Sequence, residues 1–436
     1  MQRIELHTQA RTLAIDILRR VLRGAFLAPT LRSALDASEL QGADRSFVTD
    51  LSYGTLRRLD WIDAALAPRL RAPERLPERT RAALRLATYD LLVRGTPRHA
   101  AVHAWVEAVK AGEPRLAGLA NAVLRRVEAP RGADDLGLLL PAWLAERFEA
   151  AVGAEAAERA ARAMWEPGPL WLRSYGVGAA ESLAADGCEV RPGPVEGTLR
   201  VRAPLPLDRL RAYRDGLVQP QNPASALPAL ALGVRRGERV LDLAAGNGIK
   251  TAQLAAAGAL VTAVDVDPRK EAARRSNLAR LGLEAEHLTA DLTRDVGRSP
   301  VEAVLLDAPC TGTGTLRGRP EIKLRLSAHD VDRAAARQRA MLDTAAALTA
   351  PGGRLVYAVC SLTDAEGEVQ TRRFLERHAE FRGEPVTCPV PHVPSGAGTY
   401  VLPVDGLDGF YLARLRRDDR AGDVPGGAGS KVAESS

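Results

Sequence analysis

With 436 residues, 46% of them hydrophobic, the chain can bury the cores of two or three domains, and its four cysteines lack the C-x-x-C spacing of a zinc site or disulfide framework. No apolar run nears the roughly 20 residues that span a bilayer, and M-Q-R-I-E-L-H-T-Q-A lacks the apolar block of a secretory signal, so a cytoplasmic protein without a membrane segment is expected. A net charge of +6 and a pI of about 9.3 suit a polyanionic partner, although only five of the 60 basic side chains are lysines and coding bias toward Arg and Ala explains most of the arginine excess.

Residues 1–128 read as all helix. Ala10, Leu13, Ala14, Ile17, Leu18, Val21 and Leu22 follow the i, i+3, i+4, i+7 rule, and Gly24 supplies a stop. Leu116, Leu119, Ala120, Val123, Leu124 and Val127 repeat the pattern. Helical segments at 44–59, 78–94 and 98–111 lie between, punctuated by Pro68, Pro73 and Pro77. The expected bundle has basic faces, notably Arg57-Arg58 and Arg125-Arg126, readable as solvated surface or as RNA contact.

Residues 129–141 form a predicted linker rich in Gly, Pro and Asp. A helical connector and a small α/β module are expected over 142–236, with 142–164 helical and short strands in 170–210. From 237 to 417 apolar strands alternate with Ala-rich helical stretches, as in a doubly wound α/β domain. The predicted strands are 239–243, 260–265, 285–289, 303–307 and 353–359, with 409–415 closing the sheet. Residues 418–436 are polar and Gly-rich and are expected to be disordered.

Strand 239–243 runs into A-A-G-N-G-I-K-T and then a helix, the form of a ligand loop whose amides face an anion. A dinucleotide fingerprint would need a third glycine where Thr251 stands, and a phosphate loop would need a glycine four residues before G-K-T. The remaining reading is S-adenosylmethionine, held by Ala244, Ala245, Gly246, Asn247, Gly248, Ile249 and Lys250. Asp242 suits its ammonium side, Asp265 its ribose diol and Asp291 its adenine edge. With Asp307, these aspartates mark four successive strand ends, too many for helix N-caps alone.

Cys310, in D-A-P-C-T-G-T-G-T, and Cys360, in Y-A-V-C-S, each follow a predicted buried strand. Active-site groups of open parallel sheets collect at such carboxyl ends. Two neighbouring thiols there point to covalent chemistry on a pyrimidine ring. Carbon 5 of cytosine is a poor nucleophile until a thiolate adds to carbon 6, and the added carbon-5 proton must later leave, so one thiol and one helper are required. Asp307 can hydrogen-bond the polar edge of the base, and Lys250 is a further functional candidate. Cys188 and Cys388 receive no role, and no histidine cluster supports a metal.

These segments resemble the ribosomal small-subunit RNA cytosine-5 methyltransferase B family over about residues 5–417. The resemblance rests on D-R-S-F-V-T-D-L-S-Y-G-T-L-R-R-L (44–59), L-R-L-A-T-Y-D-L-L (84–92) and N-A-V-L-R-R (121–126). In the C-terminal part it rests on L-L-D-A-P-C-T-G-T-G-T-L-R (305–317), R-P-E-I-K (319–323), L-V-Y-A-V-C-S-L (355–362), E-G-E (366–368) and D-G-F-Y-L-A-R-L (408–415). It implies an all-α NusB-like N-terminal bundle, a small RNA-docking α/β module and a Rossmann-like methyltransferase domain. It also implies that Cys360 attacks carbon 6, that Cys310 assists product release, that S-adenosylmethionine is the methyl donor and that 16S ribosomal RNA is the substrate of a monomeric enzyme.

The family's cofactor loop usually reads D-L-C-A-A-P-G-G-K-T, so Asn247 and Ile249 depart from it. Val359 stands where Thr is usual, Arg173-Ser174-Tyr175 where R-x-N is usual, and Q-P-Q-N where Q-D is usual, with Gln219 kept. A tRNA cytosine-5 methyltransferase and a non-catalytic NusB-like assembly factor are the alternatives. The paired thiols and strand-end aspartates favour an enzyme, and D-A-P-C in place of N-P-P-Y disfavours amine methylation.

Overall fold

The computed structural model of the chain describes residues 2–131, 136–294 and 296–419. Part of the expected linker and nearly all of the tail expected to be disordered therefore lie outside the described residues. Among the described residues, no helix is long and apolar enough to cross a membrane.

Seven helices build the N-terminal bundle: α1 (Gln2–Leu22), α2 (Leu27–Asp36), α3 (Gly42–Arg57), α4 (Leu59–Leu66), α5 (Glu78–Leu92), α6 (Arg98–Lys110) and α7 (Ala117–Leu124). Pro77 and Pro97 stand at the N-caps of α5 and α6, where a proline costs no helical hydrogen bond. The apolar stripe of α1 (Ala14, Ile17, Leu18 and Val21) is buried against Leu51, Leu84 and Trp105 in one core. Inside that core, the Trp105 indole N–H donates to Asp90 at 2.8 Å. Helices α2 and α4 lie in the region read as helical but outside the segments singled out there.

Beyond the short helix α8 (Leu136–Leu139), α9 (Ala142–Val152) and α10 (Ala154–Trp165) are parted at Gly153, which turns at a φ of 82°. Their Leu144, Phe148 and Met164 join the core of the large C-terminal sheet. The connector thus packs with the C-terminal domain. The small module that follows is an antiparallel sheet of β1 (Leu170–Ser174), β2 (Glu189–Pro192), β3 (Thr198–Arg202) and β4 (Val218–Pro220), in the order β2-β3-β1-β4. Helices α11 (Ala179–Ala185) and α12 (Arg211–Arg214) cover its apolar side, where Leu172, Val201 and Val218 are buried. On the other side Arg191 pairs in register with Arg200, both exposed.

The C-terminal domain opens with α13 (Pro223–Leu232) and continues through β5 (Arg239–Leu243), α14 (Ile249–Ala256), β6 (Leu260–Asp265), α15 (Pro268–Arg280), β7 (Glu286–Thr289) and β8 (Val301–Asp307). Helices α16 (Ile322–Arg325) and α17 (Ala328–Ala347) lead to β9 (Thr349–Val359), and α18 (Glu368–Arg377) leads to β10 (Phe381–Glu384), β11 (His392–Ser395), β12 (Gly398–Val401) and β13 (Phe410–Arg417). The sheet runs β11-β12-β13-β9-β8-β5-β6-β7, with β10 also paired to β13. Strands β7, β6, β5, β8 and β9 are parallel, and β13 is antiparallel to β9. The chain order reverses between β5 and β8, which makes the carboxyl ends of those strands a topological switch point where ligands bind.

Two expectations are corrected. The 409–415 segment does not close the sheet, since β10 and β12 pair along its outer side and β11 follows β12. These three strands have four residues each, too few for a period-two pattern to be read. The Arg57-Arg58 pair is neither a solvated face nor an RNA contact. Arg58 is buried over the Trp165 ring and donates to the Trp165 carbonyl and to Glu166, while Arg57 donates to the Arg317 carbonyl at 2.8 Å. Burial pushes the Arg57 guanidinium down to about 10. The bundle is thereby fastened to the segment that follows Cys310.

Candidate active site

The turn from β5 into α14 passes through left-handed backbone at Ala244 (φ 60°), Gly246 (57°) and Gly248 (79°). A Cβ on Gly248 would lie 2.6 Å from Cγ of Arg274, so only glycine fits there. Ala244 is a non-glycine residue in that region, and such strain of about 1–3 kcal/mol persists chiefly where function requires it. Arg274, 1% exposed, holds the turn by donating to the Gly246 carbonyl at 2.7 Å. Asn247 is exposed and Ile249 opens the helix. The turn is held by Gly246, Gly248 and Arg274 and does not depend on the side chains at positions 247 and 249.

Asp265 ends β6 and is 4% exposed. One oxygen accepts from the Gly246 amide at 2.8 Å and the other from the Asp267 amide at 2.9 Å. The Lys270 ammonium reaches both oxygens at 3.5 Å, the longest contacts the carboxylate makes and the ones a vicinal diol would replace. Asp291 lies two residues beyond β7, and its Oδ1 is taken by the amide and hydroxyl of Thr293, both of which hold its carboxyl below the usual range. Asp242 differs from expectation. It is the penultimate residue of β5, fully buried behind the turn, and accepts from Thr251 at 2.6 Å. Its Oδ1 has no partner among the described residues, and burial pushes the carboxyl up to about 6. Gln219 likewise turns away, accepting from Asn277, while Gln221 donates to Gln253 on α14 at 2.9 Å.

Lys250 is 6% exposed rather than solvent-facing. Its ammonium donates to Asp307 at 2.6 Å and to Ser225 at 3.1 Å and lies 5.4 Å from the Phe410 ring centre. Its counter-ion Asp307 is the last residue of β8, three positions before Cys310.

The two sulfurs are 3.2 Å apart, Cys310 in the loop after β8 and Cys360 immediately after β9. Parallel pairing of Asp307 with Ala358 sets this proximity. The Cys360 sulfur contact, burial and then the negative charges of Cys360 and Glu366 push the Cys310 thiol well above its ordinary range.

A cavity of about 710 Å³ joins these groups, within the range of small-molecule sites. Asp265, Lys270 and Asp291 line one end, and Asp307, Cys310 and Cys360 the other. From the cofactor turn, Ala244 lines it. A groove of similar volume at the opposite end of the strands, beside Arg239 and Leu260, is lined by no cysteine among the described residues. Sequence reasoning gave no role to Arg319 and Arg337, which also line the cavity, or to Glu366, which joins the two cysteine loops. Glu366 stood in a motif quoted only for resemblance. The available signal was an acidic residue amid the hydroxyls of C-S-L-T-D-A-E.

Comparison with known proteins gives a consistent picture. Residues 229–416 match the family described as 16S rRNA methyltransferase RsmB/F, and residues 8–129 match the NusB family. The chain is 46% identical over 408 residues to a ribosomal RNA small subunit methyltransferase B of Thermus thermophilus, covering 93% of this chain and 97% of that one. It is 34% identical to the protein of the same name from Xanthomonas campestris pv. campestris, over 93% and 96% of the two chains. The crystal structure of PH0851 superposes with a TM-score of 0.78 at 26% identity, over 94% of this chain and 99% of that one.

Proposed function

The chain belongs to the ribosomal RNA small subunit methyltransferase B family, and from that premise we propose that it methylates carbon 5 of a cytidine in 16S ribosomal RNA, with Cys360 as nucleophile and Cys310 as the product-release group. The observation that carries the reading is the 3.2 Å thiol pair beside the Lys250–Asp307 ion pair, at the switch point of the sheet, and the division of roles between the two thiols follows the family resemblance.

S-adenosylmethionine fits the cavity on two grounds. Asp265, buried at the end of β6, presents both oxygens to the cavity with only long 3.5 Å contacts to Lys270 for a ribose diol to replace, and the volume is large enough for an adenosyl group together with a base. Ala244, Asp265 and Asp291 would hold it, the rest of the 244–250 turn shaping the path. When bound, it supplies the electrophilic methyl group that carbon 5 takes up.

The protein's own groups perform the rest. Lys250 holds one oxygen of Asp307, which leaves the carboxylate an acceptor for the exocyclic amino group of the cytosine. The Cys360 thiolate bonds to carbon 6, and the C5=C6 electron pair moves to carbon 5. Once carbon 5 carries both hydrogen and methyl, its proton passes to Cys310, whose own proton has by then left to water. The C–H electron pair re-forms C5=C6, and the Cys360 sulfur leaves as thiolate. Bonding of Cys360 to carbon 6 removes the charge and sulfur contact that push Cys310 up, so Cys310 ionises more readily in the adduct than in the free enzyme.

The exposed arginines of the small sheet, Arg191 and Arg200, support it as the RNA-docking surface. Mapping 5-methylcytidine in 16S ribosomal RNA from a strain lacking this gene tests the reading. One cytidine should lose its methyl group and regain it on complementation with the wild-type gene; an unchanged map would defeat it.

A further inference from the structure

Glu366 is 0% exposed and makes no ion pair among the described residues, yet five donors converge on its carboxylate. The Thr311 amide at 2.8 Å and the Thr311 hydroxyl come from the residue after Cys310. The Ser361 hydroxyl at 2.6 Å comes from the residue after Cys360, and Thr363 adds a third hydroxyl at 2.9 Å. The Gln338 amide of α17 donates to the same carboxylate at 3.0 Å and to the Pro309 carbonyl at 3.1 Å. Thr313 completes the weave, its hydroxyl 2.9 Å from that of Ser361 and accepting from the Leu362 amide.

A buried carboxylate without a cation is costly unless hydrogen bonds compensate it, and this one is compensated only by groups from the two cysteine loops and the helix behind them. If either loop moved, donors would be lost. Resting on the assignment of Cys360 and Cys310 above, we propose that Glu366 is the positioning residue that locks the two cysteine loops in register, sets the thiol contact, and holds its negative charge beside the Cys310 loop.

The other charged groups lining the cavity beside Cys310 are the Lys250–Asp307 pair, Arg319 and Arg337. Asp307 and Lys250 neutralise each other, and the two arginines favour ionisation of either thiol. The Tyr357 hydroxyl donates to the Glu366 main-chain carbonyl and is itself pushed well up by burial, so it remains neutral. Glu366 is the negative group that reaches the Cys310 loop through hydrogen bonds.

The test uses the full chain without RNA or cofactor. Iodoacetamide alkylation of each cysteine is followed against pH by peptide mass spectrometry, and methylation kinetics are measured separately. In the wild type, Cys360 should react at lower pH than Cys310. In Glu366→Gln the separation should narrow by about one pH unit, a tenfold change in relative ionisation. The same variant should lose about 10- to 100-fold in kcat, with KM for RNA nearly unchanged, as misplaced reacting groups do. Glu366→Asp, which keeps the charge, should restore the alkylation order. If Glu366→Gln fails to fold, Thr311→Val and Ser361→Ala decide, each removing one donor and each expected to move the profile in the same direction. An unchanged alkylation order, whether or not activity falls, would overturn the proposal. Methylation surviving in Cys360→Ala would instead overturn the assignment of the nucleophile, which the alkylation profile does not depend on.

Discussion

Lys323 of the C-terminal domain and Asp60 of the N-terminal bundle form an ion pair at 2.6 Å, and the lysine side chain is only 3% exposed. The same ammonium donates to the Arg57 carbonyl, while the neighbouring Glu321 accepts from the Leu27 amide of the bundle. Beside these anchors, Arg319 and Ile322 line the cavity that contains the two cysteines. The bundle therefore supports one wall of the candidate active site from behind.

Lys323→Met should destabilise the whole protein. Removing one partner of a fully buried pair costs about 3–5 kcal/mol, and the Asp60 side chain is 36% exposed, so about 2 kcal/mol is expected. Calorimetry should show a lower Tm, and methylation should fall with it. Wild-type values of both would mean that the contact is incidental.

The thiols should separate by phenotype. Cys360→Ala should lose methylation and form no covalent RNA complex, whereas Cys310→Ala should accumulate one that survives denaturing electrophoresis. Adduct in the Cys360 variant and none in the Cys310 variant would reverse the assignment.

Asp265→Ala should abolish calorimetric binding of S-adenosylmethionine while the β6 core, anchored by Val264, stays folded. It removes the acceptor for a diol and releases the Gly246 and Asp267 amides together. Affinity within about threefold of wild type, well under 1 kcal/mol, would sink this role for Asp265.

Asp242 makes stability depend on pH. Burial raises its folded-state pKa to about 6, above the unfolded value, so its contribution is fully present below about pH 4 and lost as pH rises through 6. Asp242→Asn can still accept from Thr251 and does not titrate. Relative to wild type, it should gain about 2–3 kcal/mol between pH 4 and pH 7, at 1.36 kcal/mol per pKa unit. Denaturant unfolding of both proteins across that range checks it; parallel profiles would exclude a buried titrating Asp242.

Much of this architecture was legible in sequence because it rests on local rules. The strands at 239–243 and 260–265 are found where their apolar runs predict, since strands buried on both faces need unbroken hydrophobicity. Cys310 and Cys360 could be read as strand-end residues for the same reason. The short edge strands could not: β10 depends on β13 some thirty residues away, and the β11–β12 hairpin has only four residues a side, too few for a period to show. Arg57 and Arg58 looked like surface charge because no local pattern tells a solvated arginine from one buried against Trp165. Lys250 looked equally ambiguous until Asp307, 57 residues away, was seen to take its charge.

By itself, the sequence determined which residues end buried strands and which chemistry their thiols and carboxylates can perform. Tertiary structure alone decided that the sulfurs meet, that Asp242 is buried behind the cofactor turn, and that Glu366 ties the loops together. Burial and hydrogen-bond geometry are set by segments that meet only when the sheet assembles, so the tuning of each group waits on the fold.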